Sequence, residues 1–512
     1  MARHGRGAGA GASAHSGAAR GAGRSGRLIR DRGTAVFLAT VAALTALRLA
    51  MLWTSTAGLH YDEAQYWVWA QDPAWGYFSK PPMVAWLIAL AEPVCGSGAA
   101  CVRSPAPLLW AGTALATFGV GAALFGRRVG VWAGWAALLA PGAAFSARIL
   151  STDVPLLLFW ALALLAWVRL RAGGGVGWAT LLAGALGLGL LSKYAMLYFY
   201  GCVAVAAVAD PASRRVLTKR AAVAALAVGL TALIPNLLWN LEHGGATVRH
   251  TAANASGAGL SLGLADGVEF VAAQFALAGP VILTGLILAA VRPRMAETRL
   301  LLAFSLPIFL VVTGLALLTR AHGNWAATAL IATFVLGAAH LLARERRGWL
   351  AGALALGAAA QAGLFLADAN AARLSIAGRA PYAVALGWEA TARAVAETAR
   401  AQGAVAVVTE RRRDAAALTY HLRGETLPVL AWPGPGGVPD DHFQMSVPAT
   451  GREAGPLLIV AGCASPERIA AAAEGVASLG PRQVATGPGE MRTVWLFRAD
   501  RARPGLRPPD CP

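Results

Sequence analysis

The chain contains 512 residues, of which 57% are hydrophobic and 14% are charged, and its mean hydropathy is +0.54. A soluble domain of ordinary composition carries about 25% charged residues. The composition therefore excludes an ordinary soluble protein and predicts one that crosses a membrane many times. The formal net charge of +18 does not indicate nucleic-acid binding, because the basic residues lie between apolar runs, as topology signals do.

Residues 1–33 are rich in Gly, Ala, Ser, His and Arg and contain almost no large apolar side chain. Such a segment cannot bury enough apolar surface to fold, so we predict that it is disordered. Its arginines place it in the cytoplasm. It is not a signal peptide, because the apolar run behind it is too long for the core of one.

Apolar runs recur through residues 34–366, and each is near the ~20 residues that a helix needs to cross a bilayer. We predict about eleven transmembrane helices with an outer loop at 54–104. The predicted helices are 34–53, 105–125, 129–147, 154–170, 176–191, 195–209, 220–238, 268–291, 299–318, 324–343 and 348–366.

The short loops that carry several basic residues all fall on one face of this arrangement. The positive-inside rule predicts that this face is the cytoplasmic side of the inner membrane. The loop 54–104 is then on the outer side. The basic residues concerned are Arg127, Arg128, Arg169, Arg171, Arg214, Arg215, Lys219, Arg220, Arg292, Arg294, Arg299, Arg344, Arg346 and Arg347.

Residues 367–512 show a different pattern, in which short apolar strands alternate with segments of helical spacing. The predicted strands are 404–410, 427–432, 455–462 and 493–497, and the predicted helices are 388–402, 411–424 and 466–478. This alternation predicts a small soluble α/β domain with a partly parallel sheet, which eleven spans place in the periplasm. No Gly-rich phosphate loop precedes a helix, so no nucleotide site is predicted.

Five cysteines are too few for a disulfide framework, and none lies in a Cys/His cluster with zinc spacing. Cys202 falls within a predicted span and is expected in the core. The sequence leaves open whether Cys95 pairs with Cys101. A pairing of Cys463 with Cys511 is the less favoured of the two.

The segment "LHYDEAQYWVWAQDPAWGYFSKPPMVAW" (59–86) places Asp62 beside Glu63, then several aromatic residues and Lys80, directly after the first apolar helix. Charged side chains beside the bilayer are costly and usually functional. Trp and Tyr mixed with polar residues near 63–71 and 81–92 are typical of helices that lie at a membrane surface. The segment therefore predicts an active-site rim where lipid meets water.

This segment, extended to "HYDEAQYWVWAQDPAWGYFSKPPMVAWLIAL", resembles the GT-C membrane glycosyltransferases. It is most similar to glycosyltransferase family 39 and its aminoarabinose-transferase-like branch, which includes relatives of dolichyl-phosphate-mannose-protein mannosyltransferases. The resemblance covers about residues 34–450. Further matching stretches are "RILSTDVPLLLFWALAL" (148–164), "LLSKYAMLYF" (190–199), "IPNLLWNLEHG" (234–244), "RAHGNWAATAL" (320–330), "TERRRDAAALTYHL" and "DDHFQM".

The resemblance implies a GT-C fold and transfer of a sugar, with inversion, from a polyprenyl-phosphate carrier to an acceptor hydroxyl at the outer face of the membrane. The acceptor is a glycolipid, a glycan or a protein. Such a transfer needs a base for the hydroxyl, cations for the departing phosphate and an apolar slot for the isoprenoid tail.

Three carboxylates are the predicted catalytic residues. By resemblance, Asp62 is the general base, and Glu63 orients the acceptor or a metal. The alternative for Glu63 is a charge that stabilises a helix N-terminus. Asp153 has a functional role by resemblance; alternatively it caps the helix that follows, with Ser151 and Thr152 as rival caps.

Lys80 is the predicted contact for the carrier phosphate, and the alternative is a lysine that extends towards the membrane surface. His243 matches a family histidine in a "WN-x-x-H" stretch, although a lone loop histidine is usually not a ligand. The full set of predicted substrate-binding residues is Tyr61, Tyr77, Lys80, Lys193, Tyr194, His243, Arg320 and Asn324.

One departure from the resembled enzymes concerns a metal. In the lipid A aminoarabinose transferases, a glutamate linked to a metal site precedes the motif lysine, whereas Ser79 stands there in this chain. A divalent metal is therefore left open and no cofactor is assigned.

Two other classes of function remain as alternatives. A transporter or lipid flippase usually shows repeated halves and polar residues at the midplane of the membrane, whereas the polar residues here gather on one face. A catalytically inactive scaffold of a cell-envelope complex is the second alternative.

Overall fold

In the computed structural model, which describes residues 16–256 and 262–511, every strand lies beyond the last long apolar helix. The helices of the first part are α1 (Ser16–Thr54), α2 (Tyr61–Ala70), α3 (Met83–Cys95), α4 (Ala99–Arg103), α5 (Pro105–Phe125), α6 (Arg127–Leu139), α7 (Pro141–Ser146), α8 (Asp153–Arg171), α9 (Val176–Ser192) and α10 (Tyr198–Ala209). They continue as α11 (Pro211–Val216), α12 (Arg220–Thr231), α13 (Ile234–Glu242), α14 (Ala246–Ser256), α15 (Leu264–Ala278), α16 (Pro280–Val291), α17 (Ala296–Ala303), α18 (Leu306–Leu318), α19 (Ala329–Ala343) and α20 (Arg347–Ala369). Short 3₁₀ helices span Tyr194–Leu197 and Gly323–Ala326.

Helix α1 begins at Ser16, inside the segment predicted to be disordered. Residues 16–33 are helical, whereas residues 1–15 of that segment lie outside the described residues. The helical extension has a physical basis, because Ala and Arg are good helix formers. Adding turns to an existing helix also avoids the cost of nucleation.

Within the described residues, six helical segments are long and apolar enough to cross a membrane, or seven if one bent pair counts as a span. The chain is thus an integral membrane protein, but the predicted number of eleven spans is not confirmed. The six segments are Arg32–Thr54, Ala99–Phe125, Asp153–Arg171, Arg220–Glu242, Ala296–Leu318 and Arg347–Ala369.

The remaining predicted spans are broken or short. The predicted helix 268–291 is the bent pair, in which α15 and α16 meet at an angle of 109° around Gly279, whose φ is +84°. The predicted helix 129–147 breaks before Pro141, which begins α7. Proline lacks the amide hydrogen that would continue the helix. The other apolar helices in this group, α9, α10 and α19, are shorter than 18 residues.

Small residues let the helices of the bundle approach closely. A Cβ atom on Gly121 of α5 would lie 2.9 Å from the Cα of Gly130 in α6, and one on Gly285 of α16 would lie 2.8 Å from the Cα of Gly337 in α19. Such contacts are typical of helix packing in membranes, where van der Waals contact replaces the hydrophobic effect.

The C-terminal domain contains a mixed sheet with the strand order β2-β1-β3-β6-β5. Strands β1 and β2 and strands β1 and β3 pair in parallel, and β6 is antiparallel to β3 and β5. The strands are β1 (Ala406–Thr409), β2 (Val429–Ala431), β3 (Leu457–Ala461), β4 (Ala473–Glu474), β5 (Ala477–Gly487), β6 (Glu490–Ala499) and β7 (Arg501–Ala502). The helices are α21 (Trp388–Ala401), α22 (Arg412–His421), α23 (His442–Ser446) and α24 (Pro466–Ala470), with a 3₁₀ turn at Pro435–Gly437. This agrees with the predicted partly parallel sheet.

The predicted helix 466–478 is wrong. Only Pro466–Ala470 is helical, and the chain then enters β4 and β5. The alanines of this stretch favour a helix, but Gly475 turns the chain with a φ of +62° and β5 pairs with β6. Tertiary pairing thus overrides local propensity.

Two disulfides are formed, Cys95–Cys101 and Cys463–Cys511, and Cys202 is free and buried. The sequence favoured the pair Cys463–Cys511 less than Cys95–Cys101, but the structure contains both. The cysteines of Cys463–Cys511 are 48 residues apart, so only the fold, which returns the C-terminus to the end of β3, brings them together.

The C-terminal domain packs directly on the outer loops of the membrane domain. A single apolar core contains Trp69 and Tyr77 of the first outer loop together with Ala416, Tyr420 and Phe443 of the C-terminal domain. At the junction after α20, Arg148 forms an ion pair with Asp368, and the hydroxyl of Tyr382 donates to the same carboxylate. The two parts of the chain therefore share one interface over the outer loop.

Candidate active site

Glu63 is a buried structural residue. His60 is the N-cap of α2, and its amide donates to Glu63 Oε2 at 3.0 Å. Arg103 donates to both carboxylate oxygens, at 2.8 Å from Nε to Oε1 and 2.6 Å from Nη2 to Oε2. Because both oxygens are occupied and the residue is 3% exposed, the geometry does not support the predicted catalytic role. It supports the alternative of a helix N-terminal charge.

Asp62 faces a different direction, since neighbouring residues of a helix differ by about 100°. Its side chain is 39% exposed, and its Oδ1 accepts from Nη1 of Arg412 at 2.8 Å. His60 Nδ1 lies 3.5 Å from Oδ2. However, that nitrogen accepts the amide hydrogen of Asp62 at 3.2 Å, so a neutral His60 has no proton there to donate. Oδ2 thus remains available to take a proton.

Tyr77 organises the loop between α2 and α3. Its ring stacks on Trp69 with 4.7 Å between centroids, and its hydroxyl donates to the carbonyl of Trp69 at 2.8 Å. The same hydroxyl accepts from the amide of Ala74 at 3.0 Å. The residue is 3% exposed, so Tyr77 shapes the loop that carries Lys80, and its role in substrate binding stays a prediction.

Lys80 follows this turn, in which the amide of Tyr77 donates to the carbonyl of Lys80 at 3.1 Å. Burial lowers the pKa of its ammonium, the positive charge of Lys193 lowers it further, and Asp153 and Asp62 act in the opposite direction. Within residues 16–256 and 262–511, the ammonium forms no hydrogen bond or ion pair. A half-buried cation without a partner is suited to an anionic ligand.

Asp153 joins three segments of the chain at the start of α8. Its Oδ1 lies 2.7 Å from Nζ of Lys193, and its Oδ2 accepts from Nδ2 of Asn324 at 2.7 Å. The carboxylate is 8% exposed. The structure thus brings together three residues that the sequence proposed from separate motifs.

Two predicted residues line the surroundings of this cluster. The ring of Tyr61 lies 5.0 Å from the guanidinium carbon of Arg412 and so borders Asp62. The hydroxyl of Tyr194, next to Lys193 in the chain, donates to Oδ1 of Asn236 at 2.6 Å. Nδ2 of that asparagine donates to the carbonyl of Trp75 at 2.8 Å, so Tyr194 supports the same outer loop.

The structure does not bring His243 and Arg320 into the cluster. His243 is exposed at the end of α13, stacks on Trp239 with 4.0 Å between centroids, and contacts the carbonyl of Trp239 through Nδ1 at 2.8 Å. Arg320 is exposed and has no ion pair with any residue that the structure describes. Neither geometry supports the predicted contact with substrate.

Three residues of the site were absent from the predicted set. Arg412 contacts Asp62, and Gln65 accepts from the same guanidinium at 2.9 Å. His250 lies beside Phe78, with 5.6 Å between ring centroids, and burial followed by the charge of Lys80 lowers its pKa. The only sequence signal for Arg412 was the matching stretch "TERRRDAAALTYHL", which does not distinguish among its arginines.

The residues present do not form a set of metal ligands. Across the described parts of the chain, no group of three or more His, Cys, Asp or Glu side chains is placed to hold a metal ion. Glu63 is taken up by Arg103, and Asp153 by Lys193 and Asn324. Together with Ser79 in place of a glutamate, this arrangement does not fit a divalent metal, and no step below is assigned to one.

The arrangement has the parts needed for group transfer from a phosphate. Among the described residues, Oδ2 of Asp62 accepts no hydrogen bond and the ammonium of Lys80 is unpaired, and Asp153 holds a second cation, Lys193. Asp62 lies in the first turn of α2, Lys80 lies in the loop before α3, and Lys193 directly follows α9.

The family model described as dolichyl-phosphate-mannose-protein mannosyltransferase matches residues 79–239. The chain is also 34% identical over 413 residues to the lipid A galacturonosyltransferase RgtD of Rhizobium johnstonii. That match covers 80% of this chain and 86% of RgtD.

Among solved structures, the chain is similar to ArnT from Cupriavidus metallidurans in the apo state, with a TM-score of 0.62 and 16% identity, covering 91% of this chain and 98% of that one. It is similar to the same protein bound to undecaprenyl phosphate, with a TM-score of 0.58, 17% identity, and coverage of 91% and 97%. At this level of identity, the likeness shows the fold alone.

Proposed function

Because the chain belongs to the GT-C membrane glycosyltransferases of the family 39 and aminoarabinose-transferase-like branch, we propose that it transfers a sugar from a polyprenyl-phosphate carrier to a hydroxyl of a cell-envelope acceptor. The donor class is supported by the ArnT structure with undecaprenyl phosphate. The transfer inverts the configuration at the anomeric carbon, since a single displacement needs only one base and one leaving group.

The observation that carries this proposal is the ammonium of Lys80, which pairs with none of the described residues and is influenced by the charges of Asp62 and Asp153. An unpaired charge that is largely desolvated is costly in a resting protein. A phosphodiester on the donor would supply the missing anion. A charge-assisted hydrogen bond to a phosphate oxygen is also stronger than one between neutral groups.

In the proposed step, Oδ2 of Asp62 takes the proton of the acceptor hydroxyl. The oxygen of that hydroxyl forms a bond to the anomeric carbon at the same time. The bond from that carbon to the phosphate oxygen breaks, and the electron pair leaves with the polyprenyl phosphate. Lys80 stabilises the negative charge that grows on the phosphate. Lys193, held by Asp153, adds a second positive charge at the same end of the site.

The outer face is the proposed location of the reaction. Helix α8 begins at Asp153 and ends at Arg171, so the catalytic cluster and one basic cluster lie at its opposite ends. By the positive-inside rule the arginine end is cytoplasmic. The disulfide Cys95–Cys101, in the loop region that carries Lys80, favours an oxidising compartment such as the periplasm. We therefore propose that the C-terminal domain is also periplasmic.

The proposed acceptor is a glycolipid of the lipid A type. The support is the relationship with RgtD, whose name assigns it to lipid A and to a galacturonosyl group. A glycan or protein acceptor is the alternative outcome of the experiment below.

The test compares lipid extracts from a deletion strain with those from strains that carry the wild-type gene or an Asp62→Asn variant. Mass spectrometry should find one glycosylated lipid missing in the deletion and Asp62→Asn strains, and its polyprenyl-phosphate sugar accumulated. The mass difference identifies the sugar. A normal lipid profile in the Asp62→Asn strain, with a defect only in the deletion strain, would instead favour the scaffold. Movement of lipid between leaflets without a new covalent product would favour the flippase.

A further inference from the structure

The consecutive arginines at the start of α22 use their guanidinium groups differently. Nε of Arg411 lies 2.6 Å from Asp414 Oδ2, and Nε of Arg413 lies 3.7 Å from Asp414 Oδ1. Both arginines therefore face a carboxylate of their own domain. Arg412 instead reaches the membrane domain, where its Nη1 donates to Asp62 Oδ1 at 2.8 Å.

The packing of α22 explains this direction. Ala416 and Tyr420, four and eight residues after Arg412, share its face of the helix, and both lie in the core formed with the outer loop. The ring of Tyr420 contacts Trp67 edge-on, with 5.1 Å between centroids, and its hydroxyl donates to the carbonyl of Ser97 at 2.8 Å. Because this face is docked on the loop, Arg412 is delivered to α2.

The guanidinium of Arg412 is fixed on three sides. Its Nη1 is shared between Asp62 Oδ1 and Oε1 of Gln65, at 2.8 and 2.9 Å, and the glutamine is 2% exposed. The ring of Tyr61 lies 5.0 Å from the guanidinium carbon, within the range of a cation–π contact. This ion pair is therefore anchored, unlike an isolated surface pair between two mobile side chains.

The charge of Arg412 also reaches the other charged groups of the site. After burial and the charge of Lys80, it is the next cause that lowers the pKa of His250. It contributes in the same direction at Lys80, where burial and Lys193 are the larger causes. Arg412 thus contacts the carboxylate of Asp62 and its charge also acts on Lys80 and His250, although it belongs to a different domain.

We propose that Arg412 is a positioning residue for the transfer step, and that the C-terminal domain completes the active site through it. By holding Oδ1, the guanidinium restricts rotation of the Asp62 carboxylate and directs Oδ2 to the acceptor hydroxyl. The proposal rests on the proposed function, in which Asp62 is the base. It assigns the C-terminal domain a part in catalysis besides any contact with the acceptor.

The test uses full-length protein in liposomes that contain polyprenyl-phosphate sugar extracted from the deletion strain and purified lipid A-type acceptor. The variants are Arg412→Ala, Arg412→Lys, Asp62→Asn and the double variant, and the matched control is Arg413→Ala on the same helix. A displacement of about 1 Å in a reacting group can cost roughly 100-fold in rate. We expect Arg412→Ala to lower kcat about 10- to 100-fold with donor KM within about twofold, and Arg412→Lys to recover part of the loss.

The double variant separates positioning from a general structural role. If Arg412 acts through Asp62, the double variant should be no slower than Asp62→Asn alone, because the effects of coupled residues do not add. Additive losses, or an Arg412→Ala enzyme as fast as the Arg413→Ala control, would overturn the proposal. If the Arg412 proposal is overturned in this way but Asp62→Asn is inactive, the proposed function is still supported. If Asp62→Asn is active, the proposed function itself is contradicted. If Arg412→Ala does not fold, Arg412→Gln, which retains most of the side-chain length, is judged by the same criteria.

Discussion

Arg103 binds both carboxylate oxygens of Glu63, and the side chains of the two residues are 8% and 4% exposed. The first acid of the "DE" pair thus faces the site and the second fastens α2 to α4. Two adjacent carboxylates that look equivalent in the sequence therefore have separate tasks.

Arg103→Ala should destabilise the protein, because it leaves the buried carboxylate of Glu63 without its positively charged partner. Breaking a buried ion pair from one side typically costs about 3–5 kcal/mol. The matched control is Arg393→Ala, which breaks an exposed pair with Glu389 whose side chains are 67% and 79% exposed. The midpoint of thermal unfolding in detergent should fall clearly for Arg103→Ala and hardly change for the control. Equal midpoints would contradict the structural role of Glu63.

Asp62→Asn should lose most turnover, since an amide of the same size cannot take the proton of the acceptor. A positioned general base contributes roughly 10²- to 10⁴-fold. Asp72→Asn, on an exposed residue of the same loop, is the control and should retain normal kcat. Asp153→Asn should impair donor use through Lys193 and Asn324. If Asp153→Asn abolished transfer while Asp62→Asn remained active, the base would have to be Asp153.

Lys80→Met should weaken donor binding while acceptor KM stays nearly constant. A hydrogen bond to a charged group is worth about 1.5–3 kcal/mol, so donor KM should rise roughly 10- to 150-fold. Lys219→Met is the control, because Lys219 donates to the carbonyl of Leu170 near the opposite end of α8 from Asp153. An unchanged donor KM in Lys80→Met would return this lysine to the role of a side chain that merely extends to the membrane surface.

Mild acid should loosen the interface at His442. This ring lies against Trp69 and Tyr77, and burial lowers its pKa to about 4 from 6.5. Its Nδ1 has no hydrogen-bond partner within the described residues. Below pH 6.5 the unfolded imidazole gains a proton that the folded one accepts only near pH 4. Stability should therefore fall between these values, by up to ~3 kcal/mol.

The variant His442→Phe tests this assignment, because a phenyl ring fills the aromatic surroundings without titrating. Its unfolding midpoint should change less than that of the wild type between pH 7 and pH 5. Some slope should remain, since burial also lowers the pKa of His421 to about 4. Identical slopes for the two proteins would show that His442 is not a source of the acid sensitivity.

The C-terminal domain should face the periplasm. An alkaline phosphatase fused to the C-terminus should be active, and a cytoplasmic reporter at the same position should be inactive. In whole cells, Cys95, Cys101, Cys463 and Cys511 should resist alkylation until a reductant is added, because both of their disulfides require an oxidising compartment. Thiols that react without reductant would place these loops in the cytoplasm.

Local sequence singled out candidate site residues near the ends of apolar helices, and the family resemblance supplied their predicted roles. Asp62, Lys80 and Asp153 are charged residues close to long apolar runs, where a charge without a task is rare. The order of strands and helices around 388–462 was equally accessible, because each element carries its own period.

Contacts between segments that are distant in the sequence could not be predicted in this way. The ion pair of Glu63 with Arg103 could not be predicted because the two residues are 40 positions apart, and Arg412 was missed because it contacts a residue 350 positions earlier. The number of eleven predicted spans is not confirmed for a related reason. Hydropathy measures apolar length, but a single glycine or proline, as at Gly279 and Pro141, redirects the chain within an apolar run.

The 350-residue separation of Arg412 from Asp62 also sets an order of events during biosynthesis. At roughly 5–20 residues per second, about 20–70 s of translation pass between the two residues. The segment with Arg412 must then fold and join Cys463 to Cys511. A newly inserted chain therefore has its membrane helices in place well before its aspartate meets its guanidinium partner. A cell in which folding of the C-terminal domain is slowed would accumulate inserted molecules in which Arg412 has not yet reached Asp62.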